Sequence, residues 1–155
     1  MYKDEFMRRA IRLSLYNVQK GGGPFGAVIV KSGKVISSGT NLVTLVNDPT
    51  AHAEIDAIRK AAKNLKTFDL KGCEIYTSCE PCPMCLSAIY WARIDRVYYG
   101  NSKKDASKIG FIDDFIYHEL DKPINKRKLK ITQHLRDEAL MSFETWDLKK
   151  DKVRY

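Results

Sequence analysis

The chain has no apolar run close to the roughly 20 residues that cross a bilayer as a helix. Its opening stretch, MYKDEFMRRAIRLSLYNVQK, is charged and amphipathic. It lacks the unbroken apolar core and small-residue cleavage site of a secretory signal. These absences argue against membrane insertion and export, so the expected location is cytoplasmic. Internal repeats, low-complexity tracts and linkers are also missing from the 155 residues, which predicts one domain with room for a real core. Hydrophobic content of 44% and charged content of 30% are ordinary for a folded globular chain. Dense charge of one sign is scarce. The net charge of +8 and pI of about 9.3 raise a nucleic-acid reading. Yet the one compact basic run, NKRKLK at 125–130, has few aromatics nearby, and solvated surface lysines account for the balance without a partner.

Cysteine is sparse at four residues, but three of them fall within TSCEPCPMCLSAIYWAR at 77–93. A reducing compartment disfavours disulfides, so clustered thiols there point to metal or redox chemistry.

Hydrophobic spacing predicts a helix over 3–20, with Phe6, Ala10 and Leu13 on one face, broken by GGGPF at 21–25. FGAVIVK and KVISSGTN read as two strands of a hairpin joined by Ser32-Gly33. LVTLVNDPT reads as a loop, and Asp48, Pro49 and Thr50 as the start of a helix over 50–64. A short buried strand follows at 73–78, then a helix from near Cys82 to about Arg93, and a strand at 95–100. Residues 104–121 look helical with a break near Gly110, KLKITQ at 128–133 reads as a last strand, and Leu135, Ala139, Leu140 and Phe143 mark a last helix. The alternation after the hairpin predicts an α/β sandwich around a mixed sheet.

His52-Ala53-Glu54 opens one predicted helix, and Cys82 and Cys85 open another. Residues three apart share a helix face, so both thiolates can grip one ion. His52 and Glu54 are two apart and serve one site only if it lies just beyond the helix end. The spacing therefore asks for two helix N-termini converging on one metal, where the positive helix ends favour thiolates. One His and two Cys are three ligands, and zinc in a catalytic site keeps its fourth position for water. Glu54 is then placed as a proton shuttle rather than a ligand. His-x-Glu followed by Pro-Cys-x-x-Cys is the known signature of zinc nucleobase deaminases, matched here by His52, Glu54, Pro81, Cys82 and Cys85. Two other readings stand beside it. The CxxC could be a thioredoxin-like redox pair, or Cys79 could join His52, Cys82 and Cys85 in a closed structural zinc site. Cys79 and Cys73 otherwise read as small buried hydrophobes. His118 and His134 lack ligand spacing with the rest.

NDPTAHAE, TSCEPCPMC, AIYWAR, GFIDDFIYHEL, GGPFGAVIV and the terminal tyrosine resemble the bacterial guanine deaminases of the cytidine deaminase-like zinc-dependent superfamily, along nearly the whole chain. The resemblance implies a three-layer α/β/α sandwich with a central five-stranded mixed sheet. It also implies one Zn²⁺ per chain and hydrolysis of guanine to xanthine and ammonia. The family's zinc ligands fall on His52, Cys82 and Cys85, its proton shuttle on Glu54, and its base contacts on Phe25, Asn41, Asp113 and Tyr155, with His52 also against the base. Asp113 is aligned as a second functional acid, with Asp114 the neighbouring alternative, because the acidic segment reads Ile112-Asp113-Asp114 where an acid is often found in place of Ile112. It further implies homodimers that exchange the C-terminal segment, about residues 130–155 of this single deaminase domain.

Each contact also has a plain physical rationale. An aromatic ring stacks on a flat base, an asparagine matches its polar edge, and an aspartate accepts from its N–H groups. Without the resemblance, Phe25 would start a buried strand, Asn41 would sit in a turn, Asp113 would cap a helix and Tyr155 would be a frayed tail. Three rival functions remain, one of them a deaminase of guanosine or another small heterocycle, because similar scaffolds accept related rings. A tRNA adenosine deaminase shares the zinc core and suits the basic charge, but that family typically has a small aliphatic residue where Phe25 stands, and usually lacks Cys79 and the tyrosine-ended tail. A structural zinc module that binds RNA would leave Glu54 dispensable.

Overall fold

The computed structural model describes residues 2–155, with one compact unit running to Asp114 and a second over Phe115–Tyr155. The first unit begins with helix α1 (Asp4–Gln19), which buries Phe6, Met7, Ala10, Ser14 and Asn17 along one face and places Asp4 and Glu5 in its first turn. Strands β1 (Gly23–Lys31) and β2 (Lys34–Asn41) form an antiparallel hairpin. Its two-residue turn, Ser32 at φ 49° and Gly33 at φ 75°, has the left-handed backbone that matches the twist of the strands.

Strand β3 (Cys73–Cys79) runs antiparallel to β1 on its other side, and β4 (Arg96–Asn101) runs parallel to β3. The sheet order is β2-β1-β3-β4. β1 is buried on both faces. Ala27 and Ile29 pack with Ala53, Ala57 and Ala61 of helix α3 (Ala53–Leu65), while Val28 and Val30 pack with Phe6, Met7 and Ala10 of α1. This makes the three layers of the first unit. The parallel pair β3 and β4 is joined by helix α4 (Pro83–Trp91), whose Pro83 sits in the first turn where no N–H is needed. Tyr90 and Trp91 at its end are exposed.

Several expectations hold, and three are corrected. A short helix α2 (Val43–Val46) forms inside the segment expected to be a loop. Helix α3 starts at Ala53, not at residue 50. Asp48 accepts from both the Thr50 N–H (2.8 Å) and the Thr50 hydroxyl (2.7 Å), and this local turn consumes the residues read as a helix start. The expected five-stranded sheet has four strands among the described residues. Leu129 and Ile131 alternate as a strand would, but residues 128–133 belong to a unit with no strand to pair with, and both side chains are exposed. The predicted break near Gly110 is real. It separates α5 (Lys103–Lys108) from α6 (Asp114–Asp121), and Gly110 has φ 94°.

The second unit holds most of α6, a 3₁₀ turn (Ile124–Lys126) and helix α7 (Arg136–Leu148). Phe143 and Trp146 of α7 are exposed. Among the described residues no helix is long and apolar enough to cross a membrane.

Candidate metal centre and cavity

Two helix starts meet at the carboxyl ends of β2, β3 and β4 and the amino end of β1. His52 is the N-cap of α3, with extended backbone (φ −71°, ψ 158°), and Cys82 is the N-cap of α4 (φ −66°, ψ 169°). Because His52 lies outside the helix proper, its ring reaches the same point as Glu54 in the first helical turn, which is what their spacing of two required. The His52 Nδ1 lies 3.6 Å from the Cys82 Sγ and 3.5 Å from the Cys85 Sγ. A tetrahedral zinc with ordinary Zn–N and Zn–S bonds sets its nitrogen and sulfur ligands about 3.6 Å apart. The donor set and its spacing therefore fit zinc. His52, Cys82 and Cys85 are the one group of metal-binding type among the described residues.

The two thiols are strongly coupled. The hydrogen bond from Cys85, opposed by burial and aided by His52, pushes the Cys82 thiol down to about 4, and the same bond raises Cys85. The pair thus readily holds one thiolate, and a divalent cation would draw off the second proton. Cys79 is outside this group. Its buried Sγ lies 3.8 Å from the Ser102 carbonyl, and burial followed by the charge of Glu54 pushes its thiol up to about 11, so it stays protonated. The closed four-ligand reading is not what the structure builds. Cys73 is core, and His118 and His134 are exposed.

Glu54 is 5% exposed, and burial raises its pKa above the ordinary glutamate value. Its Oε2 accepts from the Cys85 thiol at 3.4 Å. Its Oε1 lies 3.2 Å from the Thr77 hydroxyl, which also reaches the Cys79 carbonyl at 2.8 Å. A carboxyl held close to the His52, Cys82 and Cys85 group and outside it is suited to carry protons.

Over this point opens a cavity of about 290 Å³ in the first unit, the lower end of small-molecule sites. Phe25, Asn41, His52, Glu54, Cys82 and Asp113 line it, so most of the sequence-predicted contacts come together. Phe25 is steadied by Phe111, with ring centroids 4.8 Å apart at 85°. Asn41 is buried, and its Oδ1 accepts from the Val43 N–H at 3.3 Å. Asp113 has a pKa raised first by burial, with Lys103 opposing the shift. Asp114 instead begins α6 and pairs with Lys103 at 3.6 Å. Tyr155 is exposed in the second unit, while the cavity described here is built from the first. Thr77, Phe111, Glu80 and Lys103 escaped sequence reasoning. Their only signal was polarity on a buried strand for Thr77 and proximity to Cys82 for Glu80.

A family model for the cytidine and deoxycytidylate deaminase zinc-binding region matches residues 1–101. The guanine deaminase of Bacillus subtilis is 51% identical over 156 residues, 100% of both chains. Its X-ray structure matches with a TM-score of 0.96, covering 100% of this chain and 99% of that one. A guanine deaminase structure from Nitrosomonas europaea matches at TM-score 0.69 and 34% identity, over 73% of this chain and 66% of that one. A tRNA-specific adenosine deaminase of Aquifex aeolicus is 38% identical over 139 residues, 90% of this chain and 89% of its own. The matched zinc-binding region spans both helix starts that carry His52, Cys82 and Cys85, and this chain belongs to the cytidine and deoxycytidylate deaminase zinc-binding family.

Proposed function

We propose that the chain is a cytoplasmic guanine deaminase of purine catabolism or salvage, hydrolysing guanine to xanthine and ammonia. The observation that carries this is the end-to-end match to the Bacillus subtilis guanine deaminase at 51% identity. The small cavity with an aromatic wall and an asparagine on its edge supports a free base as substrate.

One zinc per chain on His52, Cys82 and Cys85 would supply the Lewis acidity that brings the pKa of a water toward neutrality. The chain's own residues do the rest. Phe25 stacks on the purine and Asn41 engages its polar edge. Glu54 takes one proton from the water and delivers it to ring nitrogen N3 as the C2–O bond forms. C2 then carries both OH and NH2. Glu54, assisted by Asp113, moves the hydroxyl proton to the amine. The C2–N bond breaks, its electron pair leaves with ammonia, and the C2 carbonyl closes. Burial raises the proton affinity of Glu54, which suits a group that shuttles protons.

The same reading makes the molecule a homodimer that exchanges its C-terminal segment, with Tyr155 completing the partner's cavity. Exposed Tyr90 and Trp91 on α4 support an interface. The test is ammonia release from guanine, guanosine, adenine, cytosine and tRNA in parallel. Release from guanine alone is expected. Turnover of tRNA with silence on guanine would favour the adenosine deaminases, which the 38% identity and the +8 charge keep in view.

A further inference from the structure

Asn17 stands in the last turn of α1 and is 3% exposed, though nothing in the proposed chemistry uses it. Its side-chain Nδ2 donates to the carbonyls of Gly23 and Asn41, both at 2.7 Å. Two carbonyl acceptors at that range demand the NH2 end of the amide, which fixes its orientation. Its main-chain carbonyl accepts from the N–H groups of Lys20 (3.1 Å) and Gly22 (2.9 Å). One residue therefore ties the helix end, the glycine turn and the outer ends of both hairpin strands.

The place matters. Gly23 pairs with Asn41 in the sheet, the register is irregular between Gly23 and Gly26, and both Gly23 and Asn41 line the cavity. Asn17 supplies the bonds that hold this loosened end of the ladder. Asn41 spends its Oδ1 on Val43 and keeps its NH2 for a ligand acceptor. The glycines permit the approach. A Cβ on Gly22 would lie 2.5 Å from the Asn17 Nδ2, and one on Gly23 2.9 Å from the Asn41 Oδ1.

We propose that Asn17 is a positioning residue for base recognition, setting where Asn41 presents its amide to the substrate. This rests on the guanine deaminase reading. The test is steady-state kinetics with guanine, alongside zinc content and Tm. Asn17→Asp keeps the shape but turns an oxygen toward two carbonyls, and Asn17→Ser is too short to reach them. Either is expected to raise KM about tenfold, the effect of one or two hydrogen bonds, with kcat and zinc content nearly unchanged. Asn41→Ala also raises KM. In the Asn17→Ser/Asn41→Ala double variant the Asn17 change adds nothing further, because it acts through Asn41. Gly23→Ala, whose added Cβ meets the Asn41 side chain first, gives the same KM signature and serves if the Asn17 variants do not fold. A KM effect of Asn17→Ser that multiplies with that of Asn41→Ala, or a loss confined to kcat with falling zinc, overturns the proposal. So does a normal KM in Gly23→Ala. Wild-type protein that leaves guanine untouched overturns the functional reading itself, before any Asn17 variant is compared.

Discussion

Glu54 lies beside His52, Cys82 and Cys85 without joining their group, and this separates its loss from theirs. Glu54→Gln is expected to keep zinc and lose turnover by about 10²–10⁴-fold. Cys82→Ala and Cys85→Ala are expected to lose the metal itself, which elemental analysis reads directly. Asp113 permits a finer test. Burial raises its pKa in the folded chain. The folded state then holds its proton where the unfolded state has released it, so stability is present at low pH and falls as pH rises past the ordinary aspartate value of about 3.9. Asp113→Asn should raise Tm at neutral pH, leave it unchanged in acid, and slow the release of ammonia. His52, Glu54, Cys82 and Cys85 were legible because a helix start fixes which side chains reach past it. Phe25, Asn41 and Asp113 were legible only through resemblance. Thr77 and Phe111 were not legible because their partners are distant in sequence, and Asn17 was not because nothing in the helix sequence marks it as the residue that reaches both hairpin ends.

The helix that carries His52 and Glu54 lies unusually near its strand. A Cβ on Gly39 of β2 would sit 2.1 Å from the Ala53 carbonyl and 2.5 Å from the Ala57 nitrogen. Gly39→Ala should push α3 outward, cost about 1–3 kcal/mol in thermal unfolding and weaken zinc retention, since His52 moves with the helix. Helix α5 offers a gentler probe. Ser102 and Asp105 form a reciprocal cap, and the Ser102 hydroxyl, ahead of its N–H, pushes the Asp105 carboxyl down to about 2. A depressed carboxyl contributes stability that is full above its unfolded pKa and is lost as pH falls below it through the folded value of about 2. Ser102→Ala should therefore lower the urea midpoint near neutrality and lower it less in acid, as urea titrations at the two pH values would show. Element type was readable wherever periodicity met a packing partner, as in β1 with its two buried faces. It failed at 128–133, where alternation has no ladder to complete, and at 50–52, where an aspartate turn displaced the helix start.

Charge belongs to the molecule as a whole, and +8 invites a polyanion. Guanine is neutral, so its turnover should barely change between low and moderate salt, whereas RNA held through phosphates would weaken steeply. The proposed exchange of C-terminal segments predicts that Tyr155→Ala raises KM without changing zinc content, and that sedimentation equilibrium finds a dimer. The chain's two tryptophans bear on how such a molecule comes apart, for Trp91 belongs to the first compact unit and Trp146 to the second. Each unit thus contains its own fluorophore. With Trp91→Phe or Trp146→Phe, emission during guanidinium unfolding follows one unit at a time. Coincident curves would mean that both melt in a single cooperative step, and separated curves that the tail lets go on its own.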